Sequence, residues 1–280
     1  MTTQAYFRPR SLAEALGVLD EHGPTLLVMA GGTLAMPLIN KGVSRPEKVM
    51  GLRQAGLDYV RAVDGAVHIG AAAPLSRVRE AAGVPLLAEA VKNVGSWAVQ
   101  NMGTAGGNLF APPPAGDLAV ALLALDARVK LASRGRGERV VPLAEFYTGF
   151  LTTCLAPDEL VVEIEVPKPA GQTVLLKHGR LYTNTPAIVS VAVRLVAEGG
   201  SARDVRVALN AVGPHPMRAR RAEAALAGAA LGAETFAAAA NAAAAECDPF
   251  TDPIASASYR RKMAAVYVQR ALAAAAGTAA

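Results

Sequence analysis

The sequence predicts an α+β protein in two parts: a domain over residues 1–170, itself split near residue 55, and a sheet-plus-helix domain over residues 171–280. Three observations predict it. Up to residue 167, short continuous apolar runs alternate with helix-like stretches, the mixture that packs helices against sheets. Residues 167–171 (PKPAG) form a linker rich in Pro and Gly. Beyond it, longer apolar runs suit a small antiparallel sheet, and Ala-rich segments follow. Alanine loses no side-chain entropy on entering a helix, so these segments read as helices.

The elements follow in chain order. Ser11, with Glu14 three residues later, is a capping-box pattern before an apolar run that ends near Leu19, so a short helix is expected. Residues 25–29 (TLLVM) read as a buried strand. It runs into Ala30-Gly31-Gly32-Thr33, and residues 34–40 look helical. Strands are expected at 48–52, 57–63 and 66–71, and helices at 75–82 and 86–94. A second glycine loop, Gly103-Thr104-Ala105-Gly106-Gly107-Asn108, precedes Pro112, Pro113 and Pro114. Gly116-Asp117 then opens an apolar helical run to Leu125. Strands are expected at 129–131, 140–141 and 160–166. In the second part they are expected at 174–177, 187–195 and 205–212, with helices from residue 218 onward, the last over 256–276.

Composition narrows the function. The chain is 52% hydrophobic and 18% charged over 280 residues, enough for a sizeable core and too apolar for a disordered chain. Its net charge of +5 is spread along the sequence, the densest cluster being Arg218, Arg220 and Arg221, so nucleic acid is not the expected partner. Cys154 and Cys247 are the only two cysteines, too few for a disulfide framework or a four-thiolate iron–sulfur cluster. The N-terminus lacks the apolar core of a signal peptide, and no stretch reads as a membrane span, so a cytoplasmic location is expected. His22, His68, His178 and His215 show no ligand-like spacing, and no metal site is expected.

The chemistry concentrates in the two glycine segments. Glycine after a buried strand lets the backbone turn sharply and brings its N–H groups to an anion, while the next helix points its positive end at the same place. Thr33 and Thr104 add hydroxyls. Two such segments can grip the two phosphates of a dinucleotide. No G-x-G-x-x-G, G-x-x-x-x-G-K-[ST] or G-x-S-x-G occurs, which argues against a Rossmann site, a P-loop and a hydrolase elbow. The residues alone therefore point to a phosphate binder.

The segment Leu27-Val28-Met29-Ala30-Gly31-Gly32-Thr33-Leu34-Ala35-Met36-Pro37 resembles the first FAD-binding loop of the medium, flavin-binding subunits of molybdenum hydroxylases, the carbon monoxide dehydrogenase and xanthine dehydrogenase family. Met102-Gly103-Thr104-Ala105-Gly106-Gly107-Asn108-Leu109 resembles the second loop, with Ala105 in place of a branched residue. The stretch from Ala111 to Asp117 is similar to the family segment whose aspartate contacts the flavin nucleotide, with Pro112 replacing a small polar residue. Tyr259-Arg260-Arg261-Lys262 resembles the start of the family's last helix.

The resemblance implies a two-part FAD-binding domain of the vanillyl-alcohol-oxidase/PCMH-like type, followed by the family's C-terminal domain. It implies FAD as cofactor, held by Val28, Met29, Ala30, Gly31, Gly32, Thr33, Leu34, Val94, Thr104, Gly106, Gly107, Asn108, Asp117, Val162 and Lys177, with backbone N–H groups of both loops on the diphosphate. No catalytic residue on this chain is implied. Tyr182 and Asn184 lie where some relatives place an aromatic ring against the flavin. Trp97 reads as core rather than as a stacking partner. The implied role is electron transfer: a large molybdenum-cofactor subunit oxidises a substrate, a small [2Fe–2S] subunit passes electrons on, and FAD delivers them to a terminal acceptor. The implied assembly is a heterotrimer, often doubled in the family. A stand-alone flavin oxidoreductase of the same fold and a non-redox nucleotide-binding or assembly protein are the alternatives.

Overall fold

A computed structural model describes residues 3–81, 83–181 and 185–278. The chain opens with strand β1 (Ala5–Phe7), helix α1 (Leu12–His22), strand β2 (Leu26–Met29), helix α2 (Ala35–Asn40) and strand β3 (Lys48–Gly51). The strands form a parallel sheet in the order β1-β3-β2. Ser11 caps α1, its Oγ accepting from the Glu14 N–H at 3.1 Å. The Glu14 carboxylate reaches back to the N–H of Arg10 at 2.7 Å, one residue before the cap, so the box closes on the preceding residue. The helix continues past Leu19 to His22 and stops at Gly23, whose φ of +50° a side chain would disfavour.

The second unit runs through β4 (Val60–Val63), β5 (Ala66–Gly70), α3 (Leu75–Arg79), α4 (Pro85–Lys92), α5 (Trp97–Met102), α6 (Ala105–Leu109), α7 (Asp117–Ala124), β6 (Arg128–Ser133), β7 (Gly137–Pro142), α8 (Leu143–Phe146), β8 (Tyr147–Gly149), β9 (Thr152–Thr153) and β10 (Leu160–Pro167). Five of these strands form an antiparallel sheet in the order β4-β5-β10-β6-β7, so the last strand in sequence is the central one. Helix α7 reads DLAVALLA and every one of its residues is buried. A helix apolar all round belongs inside, and this one lies between two sheets.

The third unit is the antiparallel sheet β11 (Gln172–Gly179), β12 (Ala187–Glu198), β13 (Ser201–Asn210) and β14 (Met217–Arg218), followed by α9 (Arg220–Leu226), α10 (Ala233–Glu246) and α11 (Ala257–Ala275). Strand alternation assigns the two faces. Val189, Val191, Val193, Val205, Val207 and Leu209 pack with the three helices. The alternate residues Ala192 and Ala208 belong instead to the core around α7. This unit therefore presses one face of its sheet onto the second unit. Among the described residues, no helix is long and apolar enough to cross a membrane.

Several expectations change. The second glycine segment is the short helix α6 rather than a loop, capped by Thr104, whose Oγ1 accepts from the Gly107 N–H at 3.2 Å. Gly106 is required there by packing, since a Cβ would lie 2.8 Å from the Ala71 carbonyl oxygen. The small parallel strand β1 and the β8–β9 hairpin were not anticipated, both being too short to show a period.

Candidate functional site

The two glycine segments meet. A Cβ added to Gly31 would lie 1.9 Å from the Met102 carbonyl oxygen, and one on Gly103 would lie 3.2 Å from Thr33 Oγ1. Only bare backbone allows this approach. Between the segments opens a cleft of about 440 Å³. One wall is β2 and the turn into α2, from Val28 through Met29, Ala30, Gly31, Gly32 and Thr33 to Leu34. The facing wall comes from Val94, Thr104, Gly107, Asn108, Asp117 and Lys177.

The walls differ in what they offer an anion. Among the described residues, no group accepts from the backbone N–H of Gly31, Gly32, Thr33 or Leu34. Gly31, Gly32 and Thr33 lie in the turn before α2, and Leu34 is its N-cap, so only the last is one of the helix's own unpaired donors. The α6 amides are already used. Ala105 N–H donates to the Ala73 carbonyl and Gly106 N–H to the Ala71 carbonyl, each at 2.9 Å, and Asn108 N–H donates to the Thr104 carbonyl. In the second segment, among the described residues, the Thr104 N–H alone has no acceptor, so the two segments offer backbone donors unequally. The second wall offers the Thr104 hydroxyl, the Asn108 side chain and the bare surface of Gly107. Asn108 Oδ1 is buried and has no partner among the described residues.

Asp117, the first residue of α7, is 3% exposed. Its Oδ2 accepts from Lys177 Nζ at 2.6 Å, and the same ammonium donates to the Asn93 carbonyl at 3.0 Å. Lys177 thereby joins the C-terminus of α4 to the N-terminus of α7 across the cleft. Burial pushes the Asp117 carboxyl above the ordinary carboxylate range, and the Lys177 charge pulls against it. Asp117 Oδ1 is buried on the side of Ser190, whose hydroxyl also favours the charged carboxylate.

Two expected residues stand outside the cleft. Gly106 is turned into the packing against Ala71. Val162 sits at a register shift of β10, where a bulge re-aims its side chain. It is buried with Met50, Leu52 and Leu160, and its carbonyl accepts from the Ala71 N–H at 3.0 Å. Trp97 is neither core nor cleft: it is 63% exposed, with the Arg79 guanidinium 4.2 Å from its ring centre. Tyr182 and Asn184 lie outside the described residues. Reasoning from the sequence missed Asn93, Val99, Phe110 and Pro186 as lining residues. Phe110 lies between Asn108 and Asp117 in sequence, so continuity could have found it. Nothing local marks Asn93, which becomes part of the site through Lys177.

Open amides facing a bare glycine surface, in a cleft also lined by the Thr104 hydroxyl and by Asp117 and Lys177, fit the diphosphate and the polar groups of a dinucleotide. Fold and cleft together define a dinucleotide-binding protein without a Rossmann motif. Comparison with known proteins makes the definition specific. Residues 1–169 match the FAD binding domain found in molybdopterin dehydrogenases, and residues 177–275 match the carbon monoxide dehydrogenase flavoprotein C-terminal domain. The chain is 34% identical over 224 residues to the caffeine dehydrogenase subunit beta of Pseudomonas sp. (strain CBB1), covering 76% of this chain and 74% of that one. It is 32% identical to the carbon monoxide dehydrogenase medium chain of Hydrogenophaga pseudoflava, covering 95% of each. A solved structure of carbon monoxide dehydrogenase from that organism superposes with a TM-score of 0.93 at 34% identity, over 99% of this chain and 98% of the other. The chain belongs to the FAD-binding subunit family of the molybdenum-containing dehydrogenases: its cofactor is FAD, and it is a subunit of an oxidoreductase.

Proposed function

We propose that this chain relays electrons within a multi-subunit molybdenum hydroxylase. It takes them from a small [2Fe–2S] subunit, which is supplied by a large molybdenum-cofactor subunit, and passes them to an external acceptor. On this reading residues 1–170 are the FAD-binding part, of the PCMH-like type, and residues 171–280 complete it. The complex is a cytoplasmic heterotrimer, single or doubled.

The observation that carries the reading is the single cleft shared by both glycine segments. When bound, FAD supplies the redox chemistry. The residues of this chain hold and orient it. The amides of Gly31 to Leu34 bind the diphosphate, with Thr104 and Asn108 opposite them. Asp117 would border the cofactor from the cleft wall, and Lys177 holds its carboxylate in place. The organic substrate then needs no acid or base from this chain, since its oxidation belongs to another subunit.

The test is reconstitution. With FAD loaded, the isolated chain should keep its oxidised flavin spectrum when substrate is added. The flavin band should bleach only once both the molybdenum and the iron–sulfur subunits are present. Bleaching of the isolated chain by an organic substrate would establish a stand-alone oxidoreductase instead.

A further inference from the structure

The face of the C-terminal sheet that meets α7 carries an ordered pattern. Along β12 it reads Ser190, Ala192, Arg194, and along β13 it reads Asn210, Ala208, Arg206. These residues pair across the strands as Ser190 with Asn210, Ala192 with Ala208, and Arg194 with Arg206. Lys177 of β11 lies opposite Ser190 and extends the first pair to a row of three. The two alanines leave room for α7. The polar row meets its N-terminal end, and the arginines meet Asp126 just past its C-terminal end.

Asn210 is wholly buried and does not line the cleft. Its Nδ2 donates to the Ala115 carbonyl at 2.7 Å. Ala115, Gly116 and Asp117 all line the cleft, and Gly116 turns the chain into α7 at a φ of +92°. No side chain caps that end of α7, so the turn is held from outside the helix. The strand beyond Asn210 is fixed in turn. Arg260 of α11 is wholly buried, and its Nη1 donates to the carbonyls of Ala187, Ile188 and Ala211 at 2.9–3.2 Å. A chain of contacts therefore runs from α11 through residues 210–211 to the turn that presents Asp117.

We infer that Asn210 is a positioning residue for the cofactor: it fixes the 115–117 turn so that Asp117 keeps its place in the cleft wall, and the C-terminal sheet thereby completes the FAD site. A packing role alone would be served by an apolar residue of the same size. A buried amide aimed at one carbonyl of the cleft wall specifies a position, because an unmatched carbonyl there would be penalised. The inference rests on reading this cleft as the FAD site.

The test is a double-mutant cycle on FAD affinity in the full chain, with Asn210→Leu, Asp117→Ala and the pair of substitutions, and Gly32→Val as a control on the cleft. FAD dissociation constants are measured by flavin fluorescence, and folding is checked separately by thermal melting. Asn210→Leu should weaken FAD binding by about tenfold or more, since the Ala115 carbonyl loses its buried donor. In the Asp117→Ala background the same substitution should change affinity by less than about twofold, on the scale by which independent and coupled sites are told apart. Equal losses in both backgrounds would show a general packing role and overturn the inference. So would an unchanged affinity in Asn210→Leu or in Asp117→Ala. Should Asn210→Leu fail to fold, Asn210→Ser, too short to reach Ala115, takes its place in the cycle. Full FAD binding by Gly32→Val would sink the cleft reading itself, and the inference with it. Loss of FAD in Gly32→Val with normal binding in Asn210→Leu would sink the inference alone.

Discussion

Gly31 and Gly32 are neighbours that need to be glycine for different reasons. Gly31 has no space: a Cβ would overlap the Met102 carbonyl oxygen at 1.9 Å. Gly32 has space, its nearest neighbours being the tips of Met29 and Met36 at 3.4 Å, but its φ is +74°. Gly31→Ala must push the two cleft walls apart. It should abolish FAD retention and lower the melting temperature. Gly32→Ala carries only the left-handed backbone penalty, about 1–2 kcal/mol, and should keep its flavin with a modest loss of stability. Flavin stoichiometry and melting curves of the two purified variants check this contrast. Equal behaviour would mean that the walls are not in contact.

Asp117 and Lys177 make a second prediction at the same scale. A carboxyl whose folded pKa is raised contributes stability that is fully present below its unfolded value, 3.8, and is lost as pH rises through the folded value. Removing Lys177 removes what holds that value down. In Lys177→Met the loss should therefore extend to higher pH. The gap in melting temperature between wild type and variant should widen as pH rises above the ordinary carboxylate range and the buried carboxyl is forced to ionise. A gap independent of pH would show that Asp117 is not the group responsible. The pairing was open in the sequence: Lys177 could as well have been a solvated edge charge. The two residues are 60 positions apart, and only the fold brings the two charges to 2.6 Å.

At the scale of elements, legibility follows length and period. The strand β2, of which Leu26 alone is fully buried, and the apolar helix α7 were evident because each is a continuous apolar run that follows a glycine signal. The Ser11 cap located the start of α1, while its end at His22 lay beyond the expected Leu19. Helix α6 was hidden because Gly-Gly signals a turn, and what makes it a helix lies elsewhere: the Ala71 and Ala73 carbonyls that take its amides. Val162, which the resemblance implied, does not line the cleft: it sits at a register shift of β10 and is buried in the core beside Leu160. Helix α11 was expected, but not the burial of its Arg260, which binds Asp252 through two bonds of 2.9 Å. Arg260→Met should destabilise the chain by about 3 kcal/mol, the low end for breaking a buried ion pair because Asp252 keeps some contact with water. Urea unfolding measures it, and a cost under about 0.5 kcal/mol, the range of ordinary surface substitutions, would show the guanidinium to be dispensable.

At the scale of the molecule, α7 is the shared axis. Lys177 and Asn210 hold its N-terminal end, while Arg194, Arg206 and Arg218 converge on Asp126 beyond its C-terminal end at 3.0, 2.8 and 2.6 Å. The face pattern of β12 and β13 was present in the sequence as Ser-x-Ala-x-Arg and Arg-x-Ala-x-Asn. Its meaning needs the register that sets Ser190 against Asn210. What the molecule achieves by this arrangement is one cleft built from all three units: free amides from the first, Asn108 and Asp117 from the second, Lys177 from the third. The crystal structure of the FAD-bound chain tests that claim most directly. The account predicts diphosphate oxygens within hydrogen-bond distance of the Gly32 to Leu34 amides, with Thr104 or Asn108 on the opposite side. A diphosphate seated away from either wall would contradict it.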